Sequence, residues 1–189
     1  PKIFLQASAV LERQLIAFCL DSWIKSKNIT ERDIPPTINT CLVNIEKKDP
    51  KIFPYNFTDY IQTNLTDLTN RFISLFPQIE QTTAEELISF AKGDDKNKSI
   101  QVALLNAFIK AKKQKDSLRA NSKRIRDLIE ELKTKPKDSS YEEEMNELAK
   151  ERQALTKVSR QIGMKNTFNF LSDEGLLPNY AFPEAGIIL

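Results

Sequence analysis

The segment 99–135 contains neither proline nor glycine, the two residues that most readily end a helix. Steps of alternately four and three residues, taken from Leu104, reach nine positions, and seven of these are apolar. This spacing is typical of the seam along which two helices pack in a coiled coil. The nine seam positions are Leu104, Phe108, Ala111, Lys115, Leu118, Ser122, Ile125, Ile129 and Leu132. The segment therefore predicts one long helix that packs against a partner helix.

The residues that follow predict that partner. Pro136 ends the first helix, and residues 137–139 form a tight polar turn. Ser140 and Glu143 then have the spacing of a capping box at the start of a second helix. Apolar residues recur along it at helical spacing until Gly163 or Gly175 ends it; they are Tyr141, Met145, Leu148, Leu155, Val158 and Ile162. We expect an antiparallel hairpin over residues 99–165, which protrudes because its middle is too polar to be buried on all sides.

Residues 1–98 have the pattern of a helical body. Apolar periodicity predicts helices over about 6–27, 36–45, 57–75 and 83–93, and the last opens on a capping box formed by Thr83 and Glu86. Four glycines in 189 residues argue against a turn-rich β fold. The predicted fold class is all-α, a helical bundle with a long protruding antiparallel coiled-coil hairpin and an irregular or strand-like C-terminal tail.

Residues 166–189 are expected to form a return segment and a tail that leads toward a missing C-terminal module. The chain ends on three apolar residues, 187–189, which are typical of a strand whose pairing partners lie beyond the end. Because the chain also begins at Pro1 without a methionine, we interpret it as a piece of a larger protein. Tyr180 and Phe182 lie between two prolines and are candidates for docking onto a neighbouring domain.

The composition excludes several chemistries. The chain has no histidine, which removes histidine-based acid–base catalysis and the commonest zinc ligand. It has neither of the usual glycine-rich phosphate loops, and we interpret Cys19 and Cys41 as reduced thiols in the core. No apolar run is long enough to cross a bilayer, and we expect a cytoplasmic location. We therefore expect no catalytic residue, metal site or cofactor in this segment.

Charge is distributed unevenly along the predicted hairpin. Residues 109–137 hold 11 basic and 4 acidic side chains, whereas residues 138–189 hold 5 and 9. One interpretation is a basic arm that binds the phosphates of nucleic acid. The other is that glutamates of the return helix neutralise the bases across the hairpin and only set its register. The candidate nucleic-acid-binding residues, which lie off the seam, are Lys112, Lys113, Lys123 and Arg124.

Two blocks of the chain resemble tracts in very large bacterial DEAD/DEAH-box helicases of superfamily 2. They are residues 3–14 (Ile-Phe-Leu-Gln-Ala-Ser-Ala-Val-Leu-Glu-Arg-Gln) and residues 170–183 (Phe-Leu-Ser-Asp-Glu-Gly-Leu-Leu-Pro-Asn-Tyr-Ala-Phe-Pro), together about 26 of the 189 residues. In that family the motif Gly-Leu-Leu-Pro-Xaa-Tyr-Ala-Phe-Pro follows the second motor domain, in accessory regions that lead into a C-terminal module. The resemblance implies a parent protein that uses ATP and Mg²⁺ and translocates on or remodels DNA.

None of the family's catalytic residues can be placed on this chain, which has no Walker A loop, no DEAD or DEAH box and no arginine-finger motif. The function predicted is therefore a non-catalytic accessory domain of an ATP-dependent DNA helicase. Its expected partners are DNA, bound through the basic arm, and other domains of the same parent, with no membrane and no small-molecule substrate. The alternative is a coiled-coil scaffold that binds another protein and no nucleic acid.

Overall fold

The computed structural model describes residues 2–179, with side chains from Ser8 onward. This part of the chain contains eight helices and no β-strand, which confirms the all-α fold class. The helices are α1 (Lys2–Lys27), α2 (Ile38–Lys47), α3 (Tyr55–Thr63), α4 (Leu65–Ser74), α5 (Gln81–Lys92), α6 (Ile100–Lys133), α7 (Tyr141–Gly163) and α8 (Thr167–Asp173). The predicted strand-like tail and both docking candidates, Tyr180 and Phe182, lie outside the described residues.

One hydrophobic core joins the apolar faces of α1 to α5 to the first turns of α6 and to the segment that follows α7. Trp23 of α1 is buried in this core and packs against Phe53 and Phe57, with ring centroids 6.5 and 5.4 Å away. Phe108 of α6 extends this cluster toward α8, where it stacks on Phe170 at 5.3 Å. The start of α6 is therefore fixed in the body, because burying such rings is strongly favourable.

The region 57–75, predicted as one helix, is two helices that meet at Asn64. The side-chain amide of Asn64 donates to the carbonyl oxygen of Tyr60 at 2.9 Å, and its backbone N–H donates to the same oxygen at 3.1 Å. A short polar side chain that competes for a helical carbonyl in this way favours a break in the helix. The single-helix prediction was wrong for this reason.

Both predicted capping boxes were wrong, because neither Thr83 nor Ser140 caps its helix. Helix α5 begins at Gln81, two residues before Thr83, so Thr83 lies inside the first turn. The Ser140 hydroxyl donates to the carboxylate of Asp138 at 2.7 Å and accepts no backbone N–H of α7. The side-chain cap that α6 does have is Ser99, whose hydroxyl accepts from the N–H of Val102 at 3.1 Å.

Helices α6 and α7 pack along each other more extensively than any other pair of described helices. All nine predicted seam positions on α6 are buried or half-buried, including the polar Lys115 and Ser122. Helix α7 ends at Gly163, the earlier of the two predicted ends. Protrusion of this helical pair from the body stays a prediction.

The return from α7 to the body is fixed by the segment before α2 and by the first residue of α2. The N–H of Ile38 donates to the carbonyl oxygen of Lys165, and the N–H of Thr167 donates to that of Pro36, both at 3.0 Å. The buried hydroxyl of Thr167 donates to the carbonyl oxygen of Pro35. These bonds hold the base of the α6–α7 pair against α2.

Candidate nucleic-acid interface

The four predicted nucleic-acid-binding residues all lie on α6. Lys113, Lys123 and Arg124 are exposed to solvent. Lys112 differs from them, because its ammonium group lies 2.9 Å from the carboxylate of Glu46 on α2 and 3.2 Å from that of Asp116. The hydrogen bond that Lys112 donates to Glu46, followed by the one that it donates to Asp116, raises the pKa of Lys112. Lys112 is therefore a cation whose charge is already matched by two carboxylates.

Neutralisation across the hairpin, the alternative interpretation of the charge pattern, is not found within residues 8–179. No carboxylate of α7 in that range lies within 4.0 Å of a basic nitrogen of α6. The basic residues of α6 that form ion pairs do so with carboxylates of α2, of α6 itself and of Glu174. The α7 glutamates therefore leave the charge of the α6 cations unmatched by direct contact.

The register of the two helices explains this absence. At one end of the pair, the Lys115 ammonium nitrogen lies 2.7 Å from where a side-chain carbon on Gly163 would be. At the other end, Lys137 lies over the ring of Tyr141 at 5.5 Å. Numbering rises along α6 as it falls along α7, so residues 142–151 lie beside the last turns of α6. The middle of α6 lies beside residues 152–163, which contain no acidic side chain.

Charge is consequently separated along the length of the hairpin. We define the central basic band as residues 113–126 of α6 and 152–160 of α7, which contain nine basic side chains and one acidic side chain. We define the acidic tip as residues 127–151, which contain four basic and nine acidic side chains. The band therefore has a formal charge of +8, and we expect the like charges on its two helices to reinforce one another.

Within the central basic band, Arg119, Lys123 and Arg126 form one stripe, because residues four and three apart share a face of a helix. All three side chains are exposed. In residues 8–179 neither Arg119 nor Lys123 has an ion-pair partner, and Arg126 has only a long contact of 3.7 Å to the neighbouring Asp127. Nearby, burial followed by the charge of Arg119 lowers the pKa of Lys115.

Sequence reasoning selected Lys123 in this stripe and missed Arg119 and Arg126. A signal for them was present, since basic residues recur every seven positions along α6, at 112, 119, 126 and 133. The basic contribution of α7 was also missed, because it depends on the register of the two helices. Those residues are Arg152, Lys157 and Arg160.

The described residues offer little for other chemistry. Among them no group of three or more Asp, Glu, Cys or His side chains is placed to hold a metal ion. Burial raises the pKa of Cys19 and of Cys41 to about 12, so neither is a ready thiolate nucleophile. None of the helices within residues 2–179 is long and apolar enough to span a bilayer.

An open groove runs beside the central basic band, between α6 and the end of α7. Its apolar lining includes Ile109 and Val158, whose side chains are 40% and 45% exposed. Lys110, Lys113 and Gln114 lie along the same groove. The groove therefore combines apolar and basic groups at the body end of the band.

Comparison of the chain with protein-family models, with curated proteins and with solved structures found no match.

Proposed function

We propose that this chain is a non-catalytic accessory domain of an ATP-dependent DNA helicase, which contacts nucleic acid through the central basic band. The observation that carries the proposal is the register of α6 and α7, which groups nine basic side chains with one acidic side chain. Clustered lysines and arginines bind phosphates by releasing condensed counterions from nucleic acid. Eight of the nine basic side chains of the band are exposed to solvent, and the ninth, Lys115, is half-buried.

The same band supports binding without sequence preference. Residues 113–126 and 152–160 contain no aromatic side chain on which a base could stack. Contacts from lysine and arginine to phosphates position a nucleic acid but carry no sequence information. We therefore assign the band to backbone contact and not to the reading of bases.

The helicase part of the proposal rests on the two blocks, residues 3–14 and 170–183, that resemble accessory tracts of large helicases. Their described parts meet in the body, where the Arg13 guanidinium lies 3.2 Å from the position a side-chain carbon on Gly175 would take. Gly175 has a positive φ of 77°, a conformation that favours glycine. This contact supports treating the two blocks as one structural unit. The proposal includes a cytoplasmic location, with ATP and Mg²⁺ bound elsewhere in the parent.

The second proposal is a scaffold in which the α6–α7 pair binds another protein. It is favoured by the open groove with the exposed side chains of Ile109 and Val158. Exposed apolar groups beside charged ones are typical of surfaces that bind a protein. In this case the charges would set partner choice and would not bind phosphates.

Binding of nucleic acid at several salt concentrations separates the two proposals. Labelled single-stranded, duplex and forked DNA of unrelated sequences would be titrated with the protein and followed by fluorescence anisotropy between 50 and 300 mM salt. We expect log affinity to fall linearly with log salt, by roughly 0.7 to 0.9 per phosphate contacted, with little dependence on sequence. The absence of binding at 50 mM salt would overturn the nucleic-acid proposal in favour of the scaffold.

A variant of the four predicted residues tests whether nucleic acid binds at α6. Replacing Lys112, Lys113, Lys123 and Arg124 by glutamine removes four positive charges from α6, and we expect affinity to fall at least tenfold at 100 mM salt. The matched control removes the same charge from exposed lysines of the body, namely Lys27, Lys47, Lys51 and Lys96. An equal loss in both variants would show that net charge, and not the hairpin, determines binding.

A further inference from the structure

We propose that nucleic acid engages the hairpin only at the central basic band, with a footprint of about six phosphates per strand, and is excluded from the acidic tip. This inference rests on the proposed function and adds to it where the ligand lies and how much of it is bound. The reason is that, on both sides of the band, basic side chains lie next to carboxylates.

Toward the body, the basic residues next to the band already have acidic partners. Lys112 is paired with Glu46 and Asp116, and Lys110 lies 3.7 Å from Glu174. Lys165, just after α7, is paired with Asp173. A phosphate at this end would have to displace a carboxylate, so the attraction of these lysines for nucleic acid is reduced.

Away from the body, the acidic tip repels phosphates. Residues 127–151 carry nine acidic and four basic side chains. Three of these four basic residues, Lys133, Lys135 and Lys137, also form the end of the basic run 109–137. Lys133 is held 3.0 Å from Glu130 of its own helix. Glutamates 142–151 of α7 lie beside the same turns of α6. The residues around Lys133, Lys135 and Lys137 therefore carry a net negative charge.

The length of the band sets the footprint. Thirteen residue steps from 113 to 126 span about 20 Å at 1.5 Å per residue. The helical part of the whole basic run, from residue 109 to the end of α6 at Lys133, spans about 36 Å. Phosphates of one strand are about 3.4 Å apart along a duplex axis, which gives about six for the band and about eleven for the whole helical run. The two lengths are far enough apart to be distinguished by experiment.

Two matched variants test where the ligand binds. The band variant carries Arg119→Gln, Lys123→Gln and Arg126→Gln, and the tip variant carries Lys133→Gln, Lys135→Gln and Lys137→Gln. Both remove three exposed positive charges from the same stretch of the chain. We expect the band variant to bind single-stranded DNA at least tenfold more weakly at 100 mM salt, and the tip variant to change affinity less than twofold. Circular dichroism and thermal unfolding would establish that both variants fold.

A series of hairpin-closed DNA duplexes with stems of 4 to 20 base pairs tests the footprint on the unmodified protein, because the estimate uses the phosphate spacing of a duplex. We expect affinity to rise steeply with stem length up to about six to eight base pairs. Beyond that length we expect only the slow rise that comes from additional binding positions on a longer stem. If the unmodified protein binds none of these, nor single-stranded or forked DNA, the proposed function fails. If it binds, but the two triple variants lose affinity equally or affinity rises steeply to about eleven base pairs, only the present inference is overturned.

Discussion

The hydroxyl group of Thr167, fully buried, donates a hydrogen bond to the carbonyl oxygen of Pro35, 132 residues earlier in the chain. This bond joins the first turn of α8, directly after the α6–α7 pair, to the segment before α2. Cys41 of α2 packs against the same hydroxyl, with sulfur and oxygen 4.0 Å apart. This buried polar contact therefore helps the two backbone hydrogen bonds beside it to hold the base of the α6–α7 pair against the segment before α2.

Removing that hydroxyl should destabilise the protein. Thr167→Val keeps the shape of the side chain but leaves the Pro35 carbonyl without its donor, which costs about 1–3 kcal/mol for a buried group. Urea unfolding followed by circular dichroism measures this change. The control is Thr156→Val, which removes an exposed hydroxyl on α7 that donates to the Arg152 carbonyl. We expect a change below about 0.5 kcal/mol there. Equal effects in the two variants would contradict the role assigned to Thr167.

The two serines that precede α6 and α7 should differ in how much they contribute to the free energy of unfolding. Ser99→Ala removes the one observed side-chain cap of α6, at a position 5% exposed, and should cost about 1 kcal/mol. Ser140→Ala removes no cap from α7, because that hydroxyl bonds Asp138, and should cost less. Unfolding free energies of the two single variants measure the difference. A larger cost at Ser140 would show that α7 is capped there in solution.

The two thiols should be inert in the folded protein. Burial raises the pKa of both Cys19 and Cys41 to about 12, so at pH 8 roughly 10⁻⁴ of each is thiolate, and access is blocked as well. We expect Ellman's reagent to label neither thiol at pH 8 until urea unfolds the chain, and then to label both. Because the folded pKa is raised, the folded state holds these protons more tightly. The contribution of the two thiols to the free energy of unfolding is therefore fully present below about pH 9, and it is lost as the pH rises toward 12. Rapid labelling of the native protein would contradict this burial.

Glu46 should weaken the binding of nucleic acid. Its carboxylate accepts from Lys112 and raises the pKa of that lysine. Glu46→Gln would leave Lys112 with Asp116 alone, which extends the positive surface toward the body by one residue. We expect affinity for single-stranded DNA to rise by about two- to fivefold at 100 mM salt, for up to one additional phosphate contact. Glu85→Gln on α5 removes the same charge from an exposed site and should leave affinity unchanged.

The seam on α6 could be predicted because its spacing alone determines which residues share a face of a helix. Ser122 and Lys115 fit that spacing in spite of their polarity, and both are half-buried. The break at Asn64 could not be predicted from apolar periodicity, which continues through it. The capping predictions were wrong because a serine or threonine near a helix start has several possible hydrogen-bond partners nearby. The Ser140 hydroxyl, for example, donates to Asp138 and not to the helix.

The candidate site could be located on α6 from charge alone but not described in detail. One of the two partners of Lys112, Glu46, is on α2, and nothing in the local sequence around Lys112 indicates that helix as a neighbour. Which α7 residues lie beside Arg119 depends on the register of the hairpin, and a shift of one turn would bring glutamates closer to it. Tertiary packing therefore decides whether the basic arm is neutralised.

The most direct test of the central basic band counts the phosphates that it contacts. The salt dependence of single-stranded DNA binding would be measured for the unmodified protein and for the variant with Arg119→Gln, Lys123→Gln and Arg126→Gln. We predict that the slope of log affinity against log salt becomes shallower by roughly 2, corresponding to three lost contacts at about 0.7 each. An unchanged slope in a folded variant would contradict the account, because it would show that the bound phosphates lie elsewhere.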